Sequence, residues 1–138
     1  MDAFCEALDL LGADQVFKPR ERSFRELRRL IENGLPGKSV DILISYVPSS
    51  GQSEWRALIA GRPAGAKLSL HKSERAGRLA YILALSKEVW GDLKQANAFL
   101  LNPHPLLDGK SPLDSVKTEW GARDVEALLR RIQFGLPA

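Results

Sequence analysis

The stretch "KSERAGRLAYILALSKEVW", residues 72–90, is the longest helical pattern in the sequence. Its apolar residues recur at helical spacing and cover a broad part of the helix surface. They are Ala76, Leu79, Ile82, Leu83, Val89 and Trp90. A helix with so broad an apolar face must be buried against more than one neighbour. We therefore expect this helix to pack against several other elements.

Shorter helical patterns precede this stretch. The first ends at Gly12, and the second begins at Ser23, which forms a predicted capping box with Glu26. Gly34 ends the second helix. Its predicted buried stripe consists of Phe24, Leu27, Leu30 and Ile31.

Residues 39–47 are short and β-branched, so propensity permits a strand or a helix; their helical neighbours favour a helix. The segment "PSSGQ", residues 48–52, predicts a turn before a short helix over residues 53–61. Glycine and proline between residues 61 and 65 predict a loop. This is the strongest compositional break, and we expect it to divide the chain into residues 1–68 and residues 69–138.

Three further helices are predicted after Gly91, with Asp92, Ser111 and Thr118 as their N-caps. In the last helix, Glu126 and Arg130 have the spacing of a favourable ion pair on the outer face. The inward face of that helix is expected to contain Ala122, Val125, Leu128, Leu129 and Ile132. No segment shows convincing alternation with period two, so the sequence predicts an all-α fold.

The composition is that of an ordinary soluble globular protein, with 44% apolar and 27% charged residues in a chain of 138. No apolar run approaches the ~20 residues needed to span a bilayer. The first 17 residues are acidic, the opposite of the basic start of a secretory signal. One cysteine, Cys5, allows no internal disulfide framework and suits a reducing compartment. We expect a cytoplasmic protein.

Charge is unevenly distributed along the sequence. Residues 1–17 contain four acidic and no basic residues, whereas residues 18–78 contain thirteen basic and six acidic ones. Residues 79–138 contain seven of each. The basic middle indicates contact with nucleic acid, although an arginine-rich solvated helix surface would give the same pattern.

The residues that could catalyse a reaction near neutral pH are few and scattered. Cys5, His71 and His104 have no recognisable base or orienting partner, and their spacing matches no closed zinc site. We therefore expect a binding protein that is not an enzyme and has no cofactor or metal. The three tryptophans, Trp55, Trp90 and Trp120, are either interface anchors or, more often in small helical domains, core residues.

The C-terminal third of the sequence resembles the C-terminal toxin-binding domain of the Xre/MbcA/ParS antitoxins. The resemblance rests on residues at many fixed spacings. They are Gly91-Asp92, Asn102-Pro103, Gly109, Pro112-Leu113-Asp114, Thr118, Gly121-Ala122, Val125-Glu126, Leu128-Leu129 and Arg131-Ile132. It implies the antitoxin of a type II toxin–antitoxin module, whose partner is a RES-domain toxin that consumes NAD or transfers its ADP-ribose.

In that family the C-terminal domain covers the active-site cleft of the toxin, and the extreme C-terminus points into the NAD pocket. The resemblance therefore gives a purpose to the segment "GLPA", residues 135–138, which otherwise is simply a helix stop. The terminal carboxylate would pair with an arginine of the toxin. The toxin-binding residues implied are Arg123, Arg130, Arg131, Gln133, Phe134, Gly135, Leu136, Pro137 and Ala138.

A weaker match upstream, at "ENGLP" and "LSLHKSER", resembles the junctions around the family's Xre-like helix-turn-helix, here in a shortened form. It implies operator binding and autorepression, with Gln52, Ser53 and Arg56 reaching bases and Arg62 and Lys67 reaching phosphates. A homodimer within a two-fold symmetric toxin–antitoxin complex is also expected. The alternatives are a stand-alone helix-turn-helix transcription regulator and a structural oligomerisation domain.

Overall fold

The computed structural model describes residues 2–137, which form eight α-helices. A single 3-10 turn, Pro105–Leu107, lies between the sixth and the seventh of them. The described residues contain no β-strand, only one isolated bridge between Ala13 and Phe17. The predicted all-α fold is confirmed. The helices are α1 (Ala3–Leu10), α2 (Phe24–Asn33), α3 (Lys38–Ile44), α4 (Ser49–Ile59), α5 (Leu70–Trp90), α6 (Leu93–Leu101), α7 (Pro112–Ser115) and α8 (Glu119–Gln133).

The helix α5 occupies the centre of the molecule. It packs against α1, α2, α3, α4, α6 and α8, as its broad apolar face predicted. One cluster of buried apolar side chains extends from Ala3 in α1 to Leu129 in α8. The predicted loop between α4 and α5 is confirmed, and α5 contacts helices on both sides of it. The division of the chain at residue 68 stays a prediction.

The predicted N-caps are confirmed at four helices. In each case the cap's side-chain oxygen accepts a hydrogen bond from the backbone N–H three residues later, which satisfies an otherwise unpaired donor. The pairs are Ser23 and Glu26 (3.3 Å), Asp92 and Gln95 (2.7 Å), Ser111 and Asp114 (3.1 Å), and Thr118 and Gly121 (3.0 Å).

The second half of the predicted capping box at α2 is wrong. The Glu26 carboxylate does not return to Ser23 but accepts a hydrogen bond from the backbone N–H of Arg20 at 2.5 Å and pairs with Arg29 at 2.6 Å. Glu26 is 2% exposed, so the ion pair joins the buried side of α2 to the chain that precedes the helix. Phe24, predicted to be buried, is 54% exposed.

The turn predicted at residues 48–52 is also wrong, because α4 already begins at Ser49. Its glycine, Gly51, is helical and buried, and a Cβ there would lie 2.6 Å from Leu113 Cδ2. The glycine therefore leaves room for the end of the Leu113 side chain of α7. Among the described residues, no helix is both long and apolar enough to cross a membrane.

Candidate functional site

The helix α8 packs tightly against the elements around it. Its predicted inward residues Ala122, Val125, Leu128 and Leu129 are buried, and Ile132 is partly buried. At its start, a Cβ on Gly121 would lie 1.8 Å from the carbonyl oxygen of Ser115 at the end of α7. No side chain fits in that space, so glycine fixes how α8 follows α7.

The outer face of α8 is joined to α5 through one tyrosine. The Tyr81 hydroxyl donates a hydrogen bond to Glu126, and Arg130 Nη2 donates to the Tyr81 oxygen at 3.4 Å. The predicted direct ion pair between Glu126 and Arg130 is absent from the ion pairs of the described residues, because both side chains meet at Tyr81. Burial, with the hydrogen bond to Glu126, raises the pKa of Tyr81 to about 12, so the hydroxyl keeps its proton. Its ring stacks on Phe4 of α1 with centroids 4.4 Å apart.

The first turns of α8 expose an aromatic side chain. Trp120 is 76% exposed, and the Arg123 guanidinium lies 5.2 Å from the centre of its ring. Arg123 also contacts Glu119 at 3.1 Å. By contrast, Trp55 is 1% exposed and belongs to the core. Trp90 is partly buried, so Trp120 is the most exposed of the three tryptophans, and it lies beside a predicted binding residue.

The C-terminus of α8 is a Schellman motif. Gly135 has a φ of +70°, its N–H donates to Ile132, and the N–H of Leu136 donates to Arg131 at 2.8 Å. The apolar contact that commonly accompanies this motif is missing here, because the residues on the facing turn are arginines. Phe134 is 70% exposed and Leu136 is 55% exposed.

The remaining predicted residues at this end also lie on the surface. Arg131 donates from Nη1 to the carbonyl oxygen of Pro137 at 2.8 Å, and Arg130 donates to the Gln133 side chain at 2.9 Å. The structure thus brings the predicted residues Arg130, Arg131 and 133–137 together at one end of the molecule, where all of them are exposed except the half-buried Arg130. Ala138 lies outside the described residues.

A second feature of the same end was not predicted from sequence. An open apolar pocket of about 460 Å³ lies between the end of α5, α6, residues 102–104 and the last turn of α8. Trp90, Phe99 and Ile132 contribute its apolar walls. The pocket is assembled from segments distant in sequence, so no local pattern signals it.

Two of the five predicted DNA-binding side chains already contact other residues of the protein. Gln52 donates to the Val47 carbonyl at 2.9 Å, and Arg56 is paired with Asp41. Ser53, Arg62 and Lys67 are exposed. Residues 45–48 alone connect α3 to α4, a connection as short as that of a helix-turn-helix.

Two of the three residues considered for catalysis form local hydrogen bonds. Cys5 Sγ donates to the carbonyl of Arg22 at 2.9 Å, and His104 Nδ1 accepts from the N–H of Leu106 at 3.1 Å. Over residues 2–137, no group of three or more His, Cys, Asp and Glu side chains is placed to hold a metal ion.

Comparison with known proteins bears directly on this end of the molecule. Residues 86–135 match the family described as "Antitoxin Xre/MbcA/ParS C-terminal toxin-binding domain". The chain is also similar to the antitoxin Xre of Pseudomonas putida strain KT2440, with 31% identity over 68 residues. That alignment covers 49% of this chain and 43% of the relative, so the match spans less than half of the relative's length.

The matched segment contains the last turn of α5, the helices α6 to α8 and Gly135 of the Schellman motif at the end of α8. It includes Arg123, Arg130 and Arg131, and it contains every residue that lines the pocket beside Ile132. The resemblance inferred from the sequence is thereby confirmed. Residues 86–135 are similar to the C-terminal toxin-binding domain of the Xre/MbcA/ParS antitoxin family, and the similar relative is likewise an Xre antitoxin.

Proposed function

We propose that this protein is the antitoxin of a type II toxin–antitoxin module and neutralises a RES-domain toxin that consumes NAD or transfers its ADP-ribose. The antitoxin covers the active-site cleft of the toxin with α8 and inserts residues 134–138 into the NAD pocket. Its action is steric and involves no catalysis of its own. The division into an N-terminal unit, residues 1–68, and a toxin-binding unit, residues 69–138, belongs to the same proposal.

The observation that carries the proposal is the exposed apolar segment that follows α8. Phe134 and Leu136 expose 70% and 55% of their surface, although apolar side chains are normally buried where a neighbour is available. Because the helix ends in a hydrogen-bonded motif, the direction in which this segment leaves α8 is fixed. A segment held in this way loses less conformational freedom when a partner binds it.

The charges beside this segment support the same role. Arg130 and Arg131 lie in the last turn of α8, and Arg123 lies two turns earlier on an exposed position. They would contact the rim of the cleft, where mixed polar contacts surround an apolar centre. Trp120 extends this rim and joins the residues expected from the sequence.

The experiment uses the RES-domain toxin encoded beside this gene, purified after co-expression. NAD consumption by the toxin is followed with the full-length antitoxin and with a variant that ends at Phe134. A control variant keeps the length but replaces residues 135–138 with Gly-Ser-Gly-Ser. We expect the full-length protein to silence the toxin, and both variants to bind it while leaving much of its activity.

Equal silencing by all three proteins would mean that the helices alone close the cleft and that the segment is only a helix stop. Failure of the full-length protein to bind would contradict the toxin proposal as a whole. A titration with DNA would then test the second candidate.

The second candidate is operator binding by a homodimer, with autorepression of the module. The exposed side chains of Ser53, Arg62 and Lys67 and the basic stretch at residues 18–78 favour it. Affinity for the promoter DNA should fall steeply with salt, and the double variant Arg62→Ala/Lys67→Ala should flatten that slope. The matched control is Arg123→Ala, since Arg123 lies on α8, outside this region. An unchanged slope in the double variant would remove these residues from the DNA contact.

A further inference from the structure

The pocket beside Ile132 has the composition of an interface centre. Trp90 and Phe99 pack with their ring centroids 5.7 Å apart at an angle of 42°, and Ile132 lies opposite on α8. Its remaining lining comes from small or uncharged polar residues of α6 and the following loop, so no Asp, Glu, Lys or Arg lines it. The centres of protein interfaces are similarly rich in aromatic residues and poor in charge.

The surroundings of the pocket are also apolar and exposed. Leu101 at the end of α6 is 42% exposed, and Leu106 in the 3-10 turn is 54% exposed. Both are close in sequence to residues 102–104, which form one wall. A monomeric protein seldom leaves several large apolar side chains around an open apolar pocket unless another molecule covers them.

We propose that this pocket receives one apolar side chain of the toxin, aromatic or branched aliphatic, as an anchor separate from the contact made by residues 134–138. The inference rests on the proposed function. The occupant is the toxin because every lining residue lies within the matched toxin-binding domain. In addition, Ile132 and Phe134 are only about 3 Å apart along the axis of α8, so the pocket and the exposed segment lie at the same end of the molecule.

Two ring N–H donors lie among the residues that line the pocket. Trp90 Nε1 is buried and has no hydrogen-bond partner among the described residues. His104 Nδ1 accepts from the backbone, so in the neutral ring the proton lies on Nε2. A buried donor without an acceptor costs free energy. The entering segment of the toxin would therefore bring a carbonyl or carboxylate oxygen together with its apolar side chain.

The test fills the pocket from its exposed side. Ala98 lines the pocket and is itself exposed on α6, so Ala98→Phe occupies the space without removing a core side chain. The matched control is Ala57→Phe, the same change at an exposed position of α4 outside the toxin-binding domain. Affinity for the purified RES-domain toxin is measured by calorimetry, and thermal unfolding by circular dichroism confirms that both variants fold. We expect Ala98→Phe to weaken binding by roughly tenfold or more and Ala57→Phe to leave it unchanged.

A second measurement follows the indole N–H of Trp90 by NMR in the unsubstituted antitoxin, with Trp90→Phe used for its assignment. Adding the toxin should shift this signal, while the signal of the core residue Trp55 stays in place. If the toxin binds but neither the Trp90 signal nor the affinity of Ala98→Phe changes, the anchor is refuted and the proposed function stands. A shift that depends on antitoxin concentration without toxin would assign the pocket to a second copy instead. If the unsubstituted protein does not bind the toxin, both proposals fail.

Discussion

Replacing Glu26 with glutamine should cost stability in proportion to the buried ion pair that it removes. The carboxylate is 2% exposed and accepts hydrogen bonds from Arg29 and from the backbone of Arg20. The hydrogen bond from Arg29 has the largest effect on the pKa of Glu26, and the backbone hydrogen bond from Arg20 acts in the same direction. Together they outweigh the opposing effect of burial and lower this pKa from 4.5 to about 2. At about 1.4 kcal/mol per pKa unit, this fall corresponds to roughly 3 kcal/mol of stability at neutral pH. Because the Arg29 side chain is 31% exposed, solvent screens part of it, and we expect about 2 kcal/mol.

The same pair makes stability depend on pH in a defined direction. The pKa is lower in the folded than in the unfolded protein, so the stabilisation is complete above about pH 5 and is lost as the pH falls from about 4.5 towards 2. Less than half of it should remain at pH 3. The variant Glu26→Gln lacks this carboxylate, so the difference in unfolding free energy between the two proteins should shrink over this range.

Urea unfolding at pH 7 and pH 3 measures both effects, and the comparison cancels the titration of all other groups. Glu32→Gln is the matched control on the same helix. Glu32 is 61% exposed and lies 3.5 Å from Arg28, and a surface pair of this kind should contribute below about 0.5 kcal/mol. If Glu26→Gln is as stable as the parent protein at pH 7, or loses the same amount at both pH values, Glu26 is not paired in solution as described.

Two further changes test the packing of α8. Gly121→Ala places a Cβ 1.8 Å from a backbone oxygen of Ser115 and should lower the free energy of unfolding in urea by about 3 kcal/mol. The control Gly51→Ala meets only the flexible end of Leu113, so its unfolding free energy should be nearly unchanged. Equal effects of the two substitutions would contradict the close approach of α7 and α8. Tyr81→Phe removes the hydroxyl that joins α5 to α8 and should cost about 1–2 kcal/mol by the same assay, and a variant of unchanged stability would show that this link contributes nothing.

The parts of the fold that depend on near neighbours in sequence could be predicted. The caps at Asp92, Ser111 and Thr118 are confirmed because a cap and its partner N–H are three residues apart. The central position of α5 could be predicted because a broad apolar face admits no other arrangement. In both cases the deciding interaction is local or is a property of one helix.

The features that could not be predicted depend on groups brought together by the fold. Glu26 has the spacing of a capping box, yet it pairs with Arg29 and with the backbone N–H of Arg20. The reason is that a buried carboxylate without a charged partner would strongly destabilise the fold. Gly51 resembles a turn residue but lies inside α4, where it leaves room for the Leu113 side chain. The pocket beside Ile132 joins segments more than 25 residues apart, so it has no local signature. The sequence indicates that Arg123, Arg130 and Arg131 lie on α8. It does not indicate that each of them already forms a hydrogen bond within the protein.

The segment that matches the toxin-binding domain and the rest of the chain are physically linked through α5. The family match begins at residue 86, within the last turns of this helix, whereas the helix starts at Leu70. Tyr81, which fixes the outer face of α8, lies before the matched segment, and the ring that stacks on it comes from Phe4 in α1. A fragment that begins at residue 86 would lose most of α5, the helix against which α8 packs most extensively. The orientation of α8 at the proposed toxin contact therefore depends on the N-terminal helices, and the proposal implies that a substitution at Phe4 weakens toxin binding without removing a contact to the toxin.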